Sequence, residues 1–405
     1  MGFKRPILDW VRVEIEDTTR LVSQSKKNKR RIRYFMFNPL SVSSKFAICG
    51  LPLRLDTYKQ CTYNCEYCFA NHRIIGPIKK DTANSEWLRN KFQKIYDKKD
   101  VNNKDFLEVL LENRITLHAG GQSDCFQPRE KHEQKTKEII DICNEYDQHI
   151  LFSTKTDTLY DVNCNPEYHT FQLSISNMVN YLEDNVPSIH NRILFFDDLK
   201  DQGYLVGIRI QPFIPEVTEI EAIIDCFSEA DHFTIEGLKL VPQQIEHNKI
   251  LLEDIGLSRE DFKQMGLLNL YPEIRLWYYQ PLIEYFEDHG ISYSIADNDL
   301  HYLSNNKCCC GDLLIHKQTD FHNTCLLNEK GKHYQLNDVL TRITDYKDCI
   351  CKDLFTSNRR NGCNTVEEFY HERFNKKSSP FSPKFQYYPD YQQTSLDNLM
   401  GGDWT

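Results

Sequence analysis

Apolar positions along the chain fall into short runs separated by longer amphipathic stretches. The β-like runs are Leu51–Tyr58, Ile115–Ala119, Ile150–Thr154, Phe171–Ser176, Val206–Phe213 and Phe233–Leu240. They are rich in the branched and aromatic residues that suit strands. Between them lie helix-like segments: Ser85–Tyr96 with Ser85 as N-cap, Pro128–Tyr146, Ser188–Gln202 closed by Gly203, and Val217–Ala230. Six strands alternating with helices predict an α/β fold of repeated βα units around a parallel sheet. Right-handed crossovers would curl such a sheet into a partial or full barrel, with its working loops at the C-terminal ends of the strands. Arg275–His289 is a further helix. It ends at Gly290 and feeds Ile291–Ile295, a candidate extra strand.

The pattern divides the 405 residues into four parts: a basic extension over 1–48, a barrel over 49–300, a cysteine-rich segment over 301–370 and a polar tail over 371–405. Forty-nine basic and 59 acidic residues give a net charge of −10, which excludes a uniformly basic nucleic-acid binder. A local exception is Lys26-Lys27-Asn28-Lys29-Arg30-Arg31-Ile32-Arg33, with six basic residues in eight. It reads either as a solvated charged turn or as a phosphate-binding patch. No apolar run approaches the roughly 18 residues a membrane span requires. The start lacks the apolar stretch of a signal peptide, and Pro6 breaks the myristoylation pattern. A cytoplasmic monomer or small homo-oligomer, away from membranes, is the expectation.

Fifteen cysteines in such a chain point to metal or catalysis rather than to a disulfide framework. Cys61-Thr62-Tyr63-Asn64-Cys65-Glu66-Tyr67-Cys68 spaces three of them as C-x3-C-x2-C just after the first strand. Three thiolates in one loop can ligate three irons of a [4Fe–4S] cluster and leave the fourth iron open. A structural zinc would want four protein ligands, and the nearest further cysteines are Cys49 and Cys125.

This motif, with Tyr67 before its last cysteine, resembles the radical S-adenosylmethionine (SAM) superfamily. Further segments resemble its DNA repair photolyase-like branch, related to spore photoproduct lyase. These are Gly120-Gly121-Gln122-Ser123-Asp124-Cys125-Phe126-Gln127-Pro128-Arg129-Glu130, Phe152–Asp157, Leu173–Ser176, Val206–Pro215, and Asn185-Val186-Pro187-Ser188 with Arg192. The last matches the branch's Glu-Pro-x-x-Pro-x-x-x-x-Arg helix start. The resemblance spans about residues 45–240 and implies a partial (β/α)6 TIM-like radical SAM barrel with a cysteine-rich C-terminal extension. It also implies a [4Fe–4S] cluster on Cys61, Cys65 and Cys68 whose open iron chelates SAM. One-electron cleavage would yield a 5′-deoxyadenosyl radical that takes a hydrogen atom from substrate. A flavodoxin or ferredoxin would supply the electron. In the resemblance Ser123, Lys155 and Ser176 contact SAM, beside Tyr67 and the Gly120-Gly121 turn.

Arg209 and Gln211 lie two apart on one strand and share a face. Inward they would meet cofactor or substrate; outward they would pack on helices. Cys125 stands where the branch usually has proline, and is either a hydrogen-atom donor or a buried core thiol. The branch's lyases carry their donor two residues before the matching serine, where this chain has Gly121.

Seven more cysteines, Cys308, Cys309, Cys310, Cys325, Cys349, Cys351 and Cys363, crowd 56 residues. Three adjacent cysteines are poorly placed to converge on one metal by sequence alone, so one or two of them with the others would form a second site, an auxiliary Fe–S cluster or zinc. The substrate reading favours a nucleic acid, for repair or base modification. A peptide-modifying radical enzyme and a non-enzymatic metal-binding protein are the alternatives.

Overall fold

The computed structural model describes residues 36–43, 46, 49–72, 81–180, 182–247, 252–253, 255–265, 267–322, 336–350 and 363–375. The basic run 26–33, nearly all of the tail, Cys325 and Cys351 lie outside them. One eight-stranded sheet organises the molecule: β1 (Leu40–Val42), β2 (Leu53–Leu55), β3 (Leu117–Ala119), β4 (Ile150–Thr154), β5 (His169–Ser174), β6 (Val206–Phe213), β7 (His232–Gly237) and β8 (Tyr293–Ile295). Each strand pairs with its neighbour in sequence. All pairs are parallel except β1–β2, which is antiparallel. The six predicted strands are all present. The extra candidate enters the same sheet as β8, and antiparallel β1 extends the opposite edge.

The helices include α1 (Ser85–Phe92), α2 (Phe106–Glu112), α3 (Lys135–Asn144), α4 (Ile189–Asp201), α5 (Ile220–Cys226) and α6 (Pro272–Asp288). Two differ from expectation for local reasons. Asn84, not Ser85, caps α1, because its side chain accepts from Trp87 N at 3.1 Å. The helix predicted over Pro128–Tyr146 breaks at Gln134, whose φ is +50°.

The two faces of the sheet differ in chemistry. Leu55, Leu117, Phe152, Phe171, Leu173, Ile208, Ile210, Phe233 and Ile295 are fully or nearly fully buried in one continuous apolar core. Each such side chain contributes about 1.5–3 kcal/mol by leaving water. The alternate positions are polar. Register pairs Arg54 with His118, Ser153 with Gln172, Ser174 with Arg209, Arg209 with Thr234, and Thr234 with Ser294. Partners in a parallel pair share a face, so these residues line one polar interior. Gln172 Nε2 on β5 reaches Thr234 Oγ1 on β7 at 3.0 Å, across Gly207 of β6. The sheet is therefore strongly curved with its polar face inside. Arg209 and Gln211 point inward, and the outward reading is set aside.

Residues of the cysteine-rich segment are built into the N-terminal end of this barrel. Lys317 O accepts from Thr116 N at 2.9 Å, Leu314 O from Thr170 Oγ1 at 2.7 Å, and Gly50 O from Thr319 N at 2.9 Å. A Cβ at Gly207 would stand 2.7 Å from Leu314 Cδ1, so the plug fits only against a bare backbone there.

Candidate functional site

The cysteine loop leaves β2 and is braced by the loop that leaves β3. Gln127 is the main clamp. Its Oε1 accepts from Thr62 N at 2.8 Å, and its Nε2 donates to Gln60 O at 2.9 Å and Asp124 O at 3.0 Å. Ser123 Oγ donates to Tyr58 O at 2.7 Å. Asp124 accepts from Thr154 Oγ1, Lys155 N and Phe126 N at 2.7–2.9 Å, joining this loop to the end of β4. Gly120 has φ +93°. A Cβ there would press into the Ser153 carbonyl oxygen, so its glycine is required by the β3–β4 approach. A Cβ at Gly121 would make an ordinary 3.4 Å contact with Arg54 Nη1.

Cys65 is buried, and Cys61 and Cys68 are partly exposed. Burial pushes the Cys61 and Cys65 thiols up to about 12, with Lys155 pulling Cys65 the other way. Without metal these sulfurs hold their protons, and a soft ion would displace them.

Beneath the loop, Tyr67, Lys155, Ser176 and Arg192 converge on Glu183. Lys155 Nζ lies 2.8 Å from Glu183 Oε1, Ser176 Oγ lies 2.6 Å from the same oxygen, and Arg192 Nη2 lies 3.1 Å from Oε2. The Tyr67 hydroxyl also donates to Glu183 and lies 3.2 Å from Ser176 Oγ. Burial raises the Glu183 carboxyl, but Lys155 and Arg192 overcome it and hold the group at about 2. Glu183 was absent from the sequence expectation, which began that segment at Asn185. It lies four residues before Pro187, where the resembled Glu-Pro-x-x-Pro pattern has its glutamate.

Further round the interior, Arg209 Nη2 pairs with Glu236 Oε2 at 2.7 Å, and its Nε meets Gln211. Lys239 joins Glu236 and reaches Asp297 at 3.2 Å. Arg54 meets His118, whose Nε2 lies 2.8 Å from Ser153 Oγ. Arg54, His118 and Glu236 carried no local motif.

One expectation is corrected. Cys125 is 2% exposed and sits in the apolar core. Burial, then the charge of Asp124, hold its thiol well above the ordinary range. A thiol so enclosed does not reach the mouth, and the hydrogen-donor role is withdrawn. Of the seven C-terminal cysteines, Cys325 and Cys351 lie outside the described residues, and the five described ones fall into two groups. Cys349 and Cys363 belong to the main core, whereas Cys308 and Cys310 pack with Leu51, Leu151 and Leu314. Cys308, Cys309 and Cys310 converge with all three sulfurs within 4.8 Å of one another, contrary to the expectation for adjacent cysteines.

The chain is similar in structure to spore photoproduct lyase complexed with dinucleoside spore photoproduct, with a TM-score of 0.45 and 15% identity over 60% of this chain and 76% of that one. A spore photoproduct lyase variant with bound AdoMet and dinucleoside spore photoproduct gives the same values. Streptococcus suis SuiB bound to S-adenosylmethionine is similar at a TM-score of 0.39 and 13% identity, over 71% of this chain and 61% of that one. No family model and no curated protein matches the chain.

Proposed function

We propose that this chain is a radical SAM enzyme acting on a nucleic acid. The observation that carries the reading is the placement of the C-x3-C-x2-C loop. It follows the first parallel strand, at the C-terminal mouth of a barrel whose inner face is polar. The donor set fits a [4Fe–4S] cluster. Cys61, Cys65 and Cys68 are soft ligands on one loop, and their sulfurs do not crowd onto a single-ion site as those of Cys308–Cys310 do. When bound, the cluster supplies the electron that splits SAM into methionine and a 5′-deoxyadenosyl radical.

The chain's own residues position and neutralise. Glu183 anchors Tyr67 behind the loop and fixes Lys155. The Lys155 ammonium has three N–H donors. Glu183 and Ser174 O take two of them, leaving one for a carboxylate in the mouth. Ser123 and Ser176 spend their hydroxyl hydrogens on Tyr58 O and Glu183. Ser123 would therefore serve SAM only as an acceptor, whereas Ser176, fully buried, braces Glu183 instead of reaching the mouth. Arg209, Gln211 and Glu236 face the same interior and would meet substrate.

The nucleic-acid half rests on the photolyase-like segment Gly120–Glu130 and on the basic run Lys26–Arg33. Anaerobic reconstitution should give about four irons and four sulfides on the loop, lost when Cys61, Cys65 and Cys68 become Ala. A loop that takes up zinc alone refutes the cluster. Salt-sensitive binding to single- or double-stranded oligonucleotides, weakened by neutralising Lys26–Arg33, is the expected substrate signature. Its absence, with hydrogen abstraction from a peptide, transfers the reading to a peptide-modifying enzyme.

A further inference from the structure

Cys308, Cys309 and Cys310 are consecutive, yet their three sulfurs lie within 4.8 Å of one another, the only such trio of metal-ligating side chains among the described residues. Cys309 Sγ and Cys310 Sγ are 4.0 Å apart. The backbone beneath them is held from three different strands. Ser294 Oγ on β8 donates to Cys308 O at 2.9 Å, Thr234 Oγ1 on β7 to Cys309 O at 3.0 Å, and Gln172 Nε2 on β5 to Cys310 O at 3.0 Å. Asp312 closes the turn by accepting from Cys308 N at 3.1 Å and Lys307 N at 3.2 Å. Each of the three carbonyls is thus taken by an inward-facing polar side chain of the barrel.

We propose that Cys308, Cys309 and Cys310 bind one thiophilic ion, zinc, inside the barrel near its N-terminal end. Sulfur spacing separates this from an iron–sulfur cubane. Two thiolates on one tetrahedral zinc, at Zn–S of about 2.3 Å, stand about 3.8 Å apart, close to the 4.0 Å seen here. Cubane thiolates each hold a different iron and stand roughly 6 Å apart, wider than this trio allows.

Charge supports the same ligand. Three thiolates and one zinc dication carry a net charge of −1. Arg209 is 9% exposed. Its Nη1 is buried with no hydrogen-bond partner, while Nε and Nη2 are occupied by Gln211 and Glu236. Thr234, the register partner of Arg209 on β7, donates to Cys309 O, so this guanidinium and the trio share one interior. An anionic zinc–thiolate centre supplies the compensation that this orphaned donor lacks, and a buried guanidinium N–H without an acceptor is costly. The ion would fasten residues 308–319 across the strand starts, and three protein ligands leave its fourth position open. Cys349 and Cys363, in the main core, take no part. The site is independent of the radical SAM reading.

The test uses full-length protein in which Cys61, Cys65 and Cys68 are all changed to Ala, so that nothing bound at the mouth contributes. It should retain about one zinc per chain, and zinc-edge X-ray absorption should find about three sulfur neighbours at roughly 2.3 Å. Adding Cys309→Ser should strip the zinc while circular dichroism stays unchanged, and adding Cys349→Ser should not. The zinc edge is element-specific, so the sulfur count can also be taken on the unaltered protein should a variant fail to fold. Protein without zinc, zinc indifferent to Cys309→Ser, fewer than two sulfur neighbours, or iron–iron scattering from the triple-alanine variant would each overturn the proposal.

Discussion

Lys155 Nζ and Glu183 Oε1 stand 2.8 Å apart beneath the cysteine loop, and the Glu183 side chain is fully buried. The lysine at the barrel mouth therefore already has its anion. That anion is shared with Arg192, Tyr67 and Ser176, so one carboxylate sets the geometry of four residues around the site.

Glu183→Gln should destabilise the protein by about 3–5 kcal/mol at neutral pH, because it leaves the buried Arg192 and the largely buried Lys155 without their counter-charge. The pH dependence has a definite sign. The folded carboxyl lies at about 2, below its ordinary 4.5. The stability it contributes is complete above about 4.5 and is lost as pH falls from there toward 2. Urea unfolding of wild type and variant should show a gap that is widest near pH 7 and closes across that window.

Tyr67→Phe removes a hydroxyl that meets both Glu183 and Ser176. A hydrogen bond to a charged group contributes about 1.5–3 kcal/mol. The variant should melt earlier by a corresponding amount and hold less iron after reconstitution, since Tyr67 lies between Cys65 and Cys68. Thermal melts and iron analysis on the same preparation check both effects.

The two adjacent glycines after β3 should behave differently. Gly120→Ala forces a Cβ into the Ser153 carbonyl at a φ of +93°, and should destabilise the protein by more than roughly 1 kcal/mol. Gly121→Ala meets only the flexible Arg54 side chain at 3.4 Å and should be nearly neutral. Denaturation midpoints of the two variants give the comparison.

Several buried histidines predict a second loss of stability at milder acidity. Burial holds His232 at about 3 and His169 at about 4, and burial with Arg54 holds His118 well below its ordinary value. In the unfolded chain these rings take up protons near 6.5. Stability is therefore whole above about 6.5 and declines as pH falls from there toward 4 and 3. The urea midpoint should fall between pH 7 and pH 5, before the Glu183 window opens.

Much of this architecture was legible in the chain. Ile150–Thr154 and Val206–Phe213 are strands with the predicted bounds, because a parallel strand core announces itself in branched apolar residues. The helix expected from Ser188 is present, and Ser188 caps it by accepting from Asn191 N at 3.2 Å. The placement of Cys61–Cys68 followed from the strand before it. What escaped was long-range pairing. Glu183 is 28 residues from Lys155 and 116 from Tyr67, and only the fold brings those groups together. Cys125 looked like a mouth residue because it sits in the right loop, but its thiol turns into the core. The convergence of Cys308–Cys310 escaped for the same reason. Its cause lies in Gln172, Thr234 and Ser294, on three different strands.

The central claim is that the Cys61–Cys68 loop supports reductive cleavage of SAM. The direct measurement is 5′-deoxyadenosine released by anaerobically reconstituted, dithionite-reduced protein given SAM, followed by chromatography and mass spectrometry. The account predicts release of 5′-deoxyadenosine by the unaltered protein, abolished by Cys65→Ala and retained in Cys125→Ala. No release from iron-loaded wild type, or undiminished release from Cys65→Ala, would contradict it.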